Sequence, residues 1–267
     1  MLERFLDILF WQTFLNMVAL RLVMDVLFFI LAFLAEVIGT VVGFGSSTLL
    51  MPLALFFFDF KSALVLVAVF HLFGNIGRII FFSHWLDKRL LLVFGLPSVA
   101  LAVIGALLVN YTPQEVLKLI LGLFLLSFSF ISLLMPSLSI KQSVENSLLG
   151  GGLSGFLAGL IGTGGALRGA FLTSFKLKKD VYIATAAGIA FAVDLTRIPI
   201  YVGSGFLNSG LYWSLPLLFI IAIIGSYVGK LLVDKLPQDS FRRVVLAAIG
   251  LVALKFIYDG VLFLSMN

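Results

Sequence analysis

Gly43-Phe44-Gly45-Ser46-Ser47 interrupts a chain that is otherwise mostly hydrocarbon, and Gly162-Thr163-Gly164-Gly165-Ala166 interrupts it again 119 positions downstream. Sliding the chain by the same 119 lays Arg78 on Arg197, Asn75 on Asp194, Ile79 on Ile198, Ala68 on Ala187, Phe56 on Phe175 and Pro97 on Pro216 without a gap. The chain therefore reads as a duplicated unit, each copy of which breaks a helix at a glycine cluster.

The surroundings of the breaks say what kind of helix is broken. Hydrophobic residues make up 61% of the sequence and charged residues 12%, with a mean hydropathy of +1.19. Soluble domains carry about a quarter of charged residues, so this is an integral membrane protein. Uninterrupted apolar runs with little period-two alternation favour helices over a barrel. The absence of cysteine removes disulfides, thiolate metal sites and cysteine nucleophiles. No metal site or cofactor is expected. The net charge of +5 is spread over short loops, which points to membrane topology and not to nucleic acid.

The expected fold is an all-α polytopic membrane protein of about eight to ten membrane helices, built as two inverted-topology repeats. Each repeat is a glycine-broken helix hairpin followed by three spans. In the first the pieces fall near 22–42, 46–58, 62–83, 90–109 and 115–135; in the second, near 145–161, 165–176, 180–202, 211–233 and 240–264. The corresponding division is 1–21 for an amphipathic N-terminal helix, 22–137 for the first repeat, 138–146 for the polar connector and 147–267 for the second repeat. Residues 1–21 carry Glu3 and Asp7 where a signal peptide would be basic; a surface helix or an extra span fits their spacing. The second piece of each repeat, at about 12 or 13 residues, reaches only about 18 to 20 Å against a hydrocarbon core of about 30 Å. The hairpin either re-enters or crosses twice, and in both cases the three further spans leave odd parity and turn the second repeat upside down.

Loop charge agrees with that parity. With the first span starting outside, Lys88, Arg89, Lys141, Lys176, Lys178, Lys179, Lys230, Lys235, Arg242 and Arg243 all fall inside. The loops at 109–115 and 203–210 lack basic residues and fall outside.

Broken helices in inverted repeats mark a transporter binding site, because half-helix N-termini turn uncovered amides and a positive dipole end toward an anion. The candidate substrate-binding residues are Gly43, Gly45, Ser46, Ser47 and Thr48 in the first break, and Gly162, Thr163, Gly164 and Gly165 in the second. Close helix packing is the competing explanation for the glycines. Arg168 completes the set: its fixed fork suits an oxyanion, unless it reaches the membrane surface or pairs with Glu36. His71, Asn75 and Arg78 form one polar stripe at i, i+4, i+7, and Asp194 with Arg197 form its counterpart. With Glu36 these are candidates for a pathway or for coupling; Asp25 is a further acid on the first span. An intrahelical Asp194 to Arg197 pair and an Arg78 that snorkels are the structural alternatives.

At these residues the chain resembles the sulfite exporter TauE/SafE family, also called TSUP transporters, whose members carry a duplicated Gly-x-Gly-Gly-Gly motif with a proline shortly after it. The first copy has Pro52 in register; the second has Phe171 where proline is usual. The resemblance extends over about residues 25–264. It implies a multi-pass plasma-membrane transporter of small sulfur-containing oxyanions of the sulfite, thiosulfate or sulfonate type, and not an enzyme. The serines at 46 and 47 and Arg168 depart from the motif inside the presumed site. Export by alternating access is the expected direction, since an inside-negative potential drives an anion outward by about 2.3 kcal/mol per charge per 100 mV. Its expected partners are the anionic substrate, the lipid bilayer and protons as a coupling ion. The alternatives are a proton-coupled importer of another small organic anion using Glu36 or Asp194, and an intramembrane serine protease. Gly152-Leu153-Ser154-Gly155 and His71-Leu72-Phe73-Gly74-Asn75 resemble rhomboid motifs, but both histidines, His71 and His84, precede the serine, and a catalytic base after it is missing.

Overall fold

A computed structural model describes residues 2–82, 86–135, 140–175, 177–233, 235 and 238–266; for 2–18 and 238–241 it describes the backbone alone. His84, Lys176 and the start of the connector at Leu138 lie outside the described residues. Among the described residues ten α-helices follow one another: α1 (Leu2–Val42), α2 (Ser47–Ala54), α3 (Phe60–Phe82), α4 (Lys88–Leu108), α5 (Gln114–Leu134), α6 (Val144–Ile161), α7 (Gly165–Ser174), α8 (Lys179–Gly203), α9 (Ser214–Leu232) and α10 (Gln238–Met266). Eight of them are long and apolar enough to cross a membrane. The two that are not are α2 and α7, the helices opened by the glycine breaks.

One expectation changes at the N-terminus. Residues 2–21 form no separate element: α1 is a single helix of 41 residues, about 60 Å long and twice the hydrocarbon thickness. Its apolar membrane-length part is Ala19–Val42.

The ends of the helices sort by charge. At one end Lys179 Nζ reaches the Val233 carbonyl, Lys230 Nζ the Phe81 carbonyl, and the Asp87 amide the Thr185 hydroxyl. The end of α3, the starts of α4 and α8 and the end of α9 therefore share this basic end. At the other end Ser62 donates to the Phe206 carbonyl, Phe60 N to Gln114 Oε1, and Asn110 to Ser204. The start of α3, the α4–α5 turn and the end of α8 meet there. So α3 and α8, equivalent spans of the two halves, run in opposite directions.

Neighbour relations repeat under exchange of α1–α5 with α6–α10. The helix α4 packs on α6 as α9 packs on α1; α3 meets α9 as α8 meets α4; and α3 meets α8, α5 meets α10 and α2 meets α7 directly. This is an internal two-fold. Small residues permit the closest approaches: a Cβ on Gly151, Gly155 or Gly159 of α6 would lie within 2.2 Å of a backbone carbonyl of α4. Membrane helices have no hydrophobic effect to drive them together, so backbone-close packing of this kind does the work. The central α3 is buried along most of its length, whereas α4, α9 and α10 turn residues such as Leu96, Ile220 and Leu251 outward, as lipid-facing helices do.

Candidate functional site

The two breaks meet in the interior. Gly43 and Gly45 have φ of 84° and 78°, and Gly162 has 78° as the left-handed cap of α6, a conformation that glycine adopts without steric cost. The hydroxyls of Thr48 and Thr163, at the starts of α2 and α7, are 3.0 Å apart and buried. From this contact α2 and α7 diverge toward opposite ends of the bundle, so two helix N-termini converge on one region.

The two clusters are used differently. Gly43 and Gly45 line a cavity together with Thr40, Asn75, Arg78 and Arg168, and Tyr182 closes its side. Gly162, Gly164 and Gly165 pack instead: Cβ atoms there would meet Met51 and Leu64, the Ser154 carbonyl and the Phe44 carbonyl. Ser46, Ser47, Thr48 and Thr163 are buried beside the breaks, and the Ser46 hydroxyl has no partner among the described residues. The cavity has about 310 Å³ free of atoms but admits water-sized objects over only a small part of it.

Arg168 lies in the first turn of α7, 4% exposed. Its guanidinium makes no hydrogen bond or ion pair among the described residues, and Nε is buried without a partner. The pairing with Glu36 does not form, because Glu36 belongs to Arg78. Arg78 Nη2 is 2.5 Å from Glu36 Oε1, Nε donates to Thr40 Oγ1 at 3.0 Å and Nη1 to Asn75 Oδ1 at 2.8 Å. Ser226 of α9 adds a donor to the same carboxylate oxygen at 2.8 Å. Arg78 is thus buried and tied down and does not snorkel. The alternative of an intrahelical pair on α8 is present: Arg197 Nη2 lies 2.8 Å from Asp194 Oδ1, and Arg197 also donates to the Ala158 carbonyl.

The two polar stripes join. His71 Nδ1 is 2.8 Å from Asp194 Oδ2, and Asn75 Nδ2 donates to the same oxygen at 3.2 Å. Glu36, Arg78, Asn75, Asp194, His71 and Arg197 form one buried network linking α1, α3 and α8. Asp25 lies elsewhere, beside a separate recess at the far end with Asp59 and Asn208. Ser154 gives its hydroxyl to the Gly151 carbonyl, and the Nδ1 of His71 is engaged by Asp194, so no serine–histidine pair forms between them.

Thr40 and Tyr182 were not singled out from the sequence. Thr40 sits one turn beyond Glu36, a spacing that could have flagged it; Tyr182 lies near the start of α8, with no local pattern to distinguish it from an interfacial tyrosine. Its hydroxyl donates to the Gly43 carbonyl. On the other side of this bond lies a wider vestibule of about 850 Å³ at the basic end, lined by Val42, Phe44, Thr173, Lys179 and Arg242. A cation on one wall of the cavity, converging helix starts and a basic vestibule beyond the Tyr182–Gly43 hydrogen bond are suited to holding and passing a small anion.

Comparison with known proteins points to a membrane transporter. A family model described as sulfite exporter TauE/SafE matches residues 28–256. A protein of Methanocaldococcus jannaschii described as a probable membrane transporter protein is 26% identical over 251 residues, covering 85% of this chain and 93% of the relative. No solved structure matches the chain.

Proposed function

Since the chain belongs to the sulfite exporter TauE/SafE family and is a multi-pass membrane transporter, we propose that its cargo is a small sulfur-containing oxyanion of the sulfite, thiosulfate or sulfonate type. The observation that carries this reading is Arg168, a buried guanidinium without an ion-pair partner among the described residues, facing a cavity at the first helix break. An unpaired buried charge is costly, and an oxyanion that accepts two parallel N–H bonds removes that cost while it is bound.

The repeats at 22–137 and 147–267 rock against each other about the bound anion. The basic end is cytoplasmic under the positive-inside rule, in the plasma membrane. From there the vestibule gathers anions near Lys179 and Arg242, and Tyr182 of the second repeat, bonded to Gly43 of the first, closes the passage. Toward the other end the paired threonines and the packing of Met51 and Leu64 on Gly162 seal the site. Membrane potential favours export by about 2.3 kcal/mol per charge per 100 mV. Import of another small organic anion would need a coupled proton.

The test is uptake of radiolabelled sulfite, thiosulfate and a simple sulfonate into vesicles holding the purified protein, with and without an imposed voltage or proton gradient. Accumulation driven by an interior-positive potential is the expected result. If none of the three moves under any gradient, the proposal is wrong.

A further inference from the structure

The permanent charges around the cavity pair off. Glu36 on α1 matches Arg78 on α3, and Asp194 matches Arg197 within α8. Arg168 on α7 is left with one unmatched positive charge, enough for one negative charge on a ligand. A dianion needs a second, and one group is arranged to supply it.

That group is His71. Its Nδ1 is held by Asp194 Oδ2, so in the neutral ring Nδ1 carries the hydrogen and Nε2 is a bare acceptor. Nε2 is buried and has no partner among the described residues. It lies against the glycine break itself: a Cβ on Gly45, which lines the cavity, would be 2.8 Å from Nε2. The charged groups around the ring are Asp194 and Arg197 from α8, Arg168 from α7, Arg78 on its own helix and Glu36 beyond it on α1; α2 and the Ser46 that caps it present Ser46, Ser47 and Thr48 and no charge. Neither acid is a comparable carrier. Both carboxylates hold an arginine, and the unpartnered Glu36 Oε2 is pressed against the backbone of Gly74, where a Cβ would stand 2.5 Å away.

We propose that His71 takes up one proton from water when a dianion enters the cavity and releases it when the dianion leaves, so that thiosulfate-like cargo travels with a proton and sulfonate-like monoanions travel without one. The inference rests on the anion reading above. Protonation places a new N–H at Nε2, against Gly45 of the cavity wall, and turns a site of one net positive charge into one of two. The cargo's second charge is thereby matched without breaking either arginine pair. The carrier is His71 and not Glu36 or Asp194.

Binding calorimetry on the purified protein, repeated in buffers of different ionisation enthalpy, counts protons taken up per anion bound. Thiosulfate, a dianion throughout, and methanesulfonate, a monoanion throughout, are the probes over about pH 5 to 8, where an imidazole titrates. Thiosulfate should take up about one proton at the upper end of this range, with affinity falling about tenfold per pH unit there, and methanesulfonate should take up none. His71→Asn, whose amide can still donate to Asp194, should take up none with either; His71→Gln is the second variant. Proton number per anion is a quantity that a merely structural loss of affinity leaves unchanged. Thiosulfate binding without proton uptake, or uptake that persists in either variant, overturns the role of His71 and leaves the anion site standing. If neither anion binds at any pH, the transport reading fails and this inference falls with it.

Discussion

Asn75 and Asp194, equivalent positions 119 residues apart in the two halves of the chain, hydrogen bond to each other, Nδ2 to Oδ2, over 3.2 Å. A residue can meet its own counterpart only near the axis that relates the repeats, so this bond lies close to the internal two-fold. The duplication has diverged here in a useful way. Two aspartates would repel and two asparagines would leave Arg197 without its acid, whereas this pair lets Asn75 accept from Arg78 and Asp194 hold both Arg197 and His71.

Arg168→Lys should keep the charge and lose the fork. Its expected effect is a loss of anion affinity of about 10- to 100-fold, the range of a charge-assisted bond of about 1.5 to 3 kcal/mol. Calorimetry with thiosulfate measures it. Unchanged affinity would remove Arg168 from the site.

Arg78→Ala leaves Glu36 buried without a counter-charge and should destabilise the protein by about 3 to 5 kcal/mol. The double variant Glu36→Gln with Arg78→Gln should recover part of that loss, and thermal unfolding in detergent compares the three. A single variant as stable as the parent would show that the pair does not hold α1 to α3.

Tyr182→Phe removes the hydroxyl that reaches the Gly43 carbonyl. A net hydrogen bond of about 1 kcal/mol corresponds to about a fivefold shift in opening. Since the chain has no cysteine, Ala187→Cys, which lines the cavity, reports that shift through its reaction rate with a small methanethiosulfonate. An equal rate with Tyr and Phe at 182 would mean that the closure lies elsewhere.

Gly45→Ala should cost about 1 to 2 kcal/mol from its left-handed backbone alone, and its Cβ would crowd His71 Nε2 at 2.8 Å. The control is Gly203→Ala, where the new methyl meets nothing within 4 Å. Thermal stability should separate the two, and equal midpoints would contradict the geometry of the first break.

Orientation is testable with the same cysteine-free background. Asn208→Cys, exposed at the end opposite the vestibule, should react with an impermeant maleimide on intact cells; Gln142→Cys, exposed at the basic end, should react only after permeabilisation. The reverse pattern would put the vestibule outside.

Much of this molecule is legible as a string. Helix limits fall within a few residues of the glycine, proline and charge punctuation, apart from the long start of α1, because a segment in lipid must satisfy its own backbone and so announces its length in apolar residues. Odd parity and loop charge likewise require no coordinates. The division of labour between the two glycine clusters does require them. Gly43 and Gly162 are equivalent in sequence, yet one lines a cavity and the other packs on Met51 and Leu64.

What the sequence by itself determined is the duplicated, inverted helical scaffold and the short inventory of polar residues buried in it, because local apolar length and repeat spacing carry that information. Which of those residues neutralise each other was decided only by tertiary structure. The pairing of Glu36 with Arg78 across 42 positions, of His71 with Asp194 across 123, and of Thr48 with Thr163 across 115 depends on how α1, α2, α3, α7 and α8 pack. Electrostatic partnership falls off over a few ångströms and is independent of separation along the chain, and so Arg168 stands out as the unmatched charge of the cavity lining only after the other partners have been brought together.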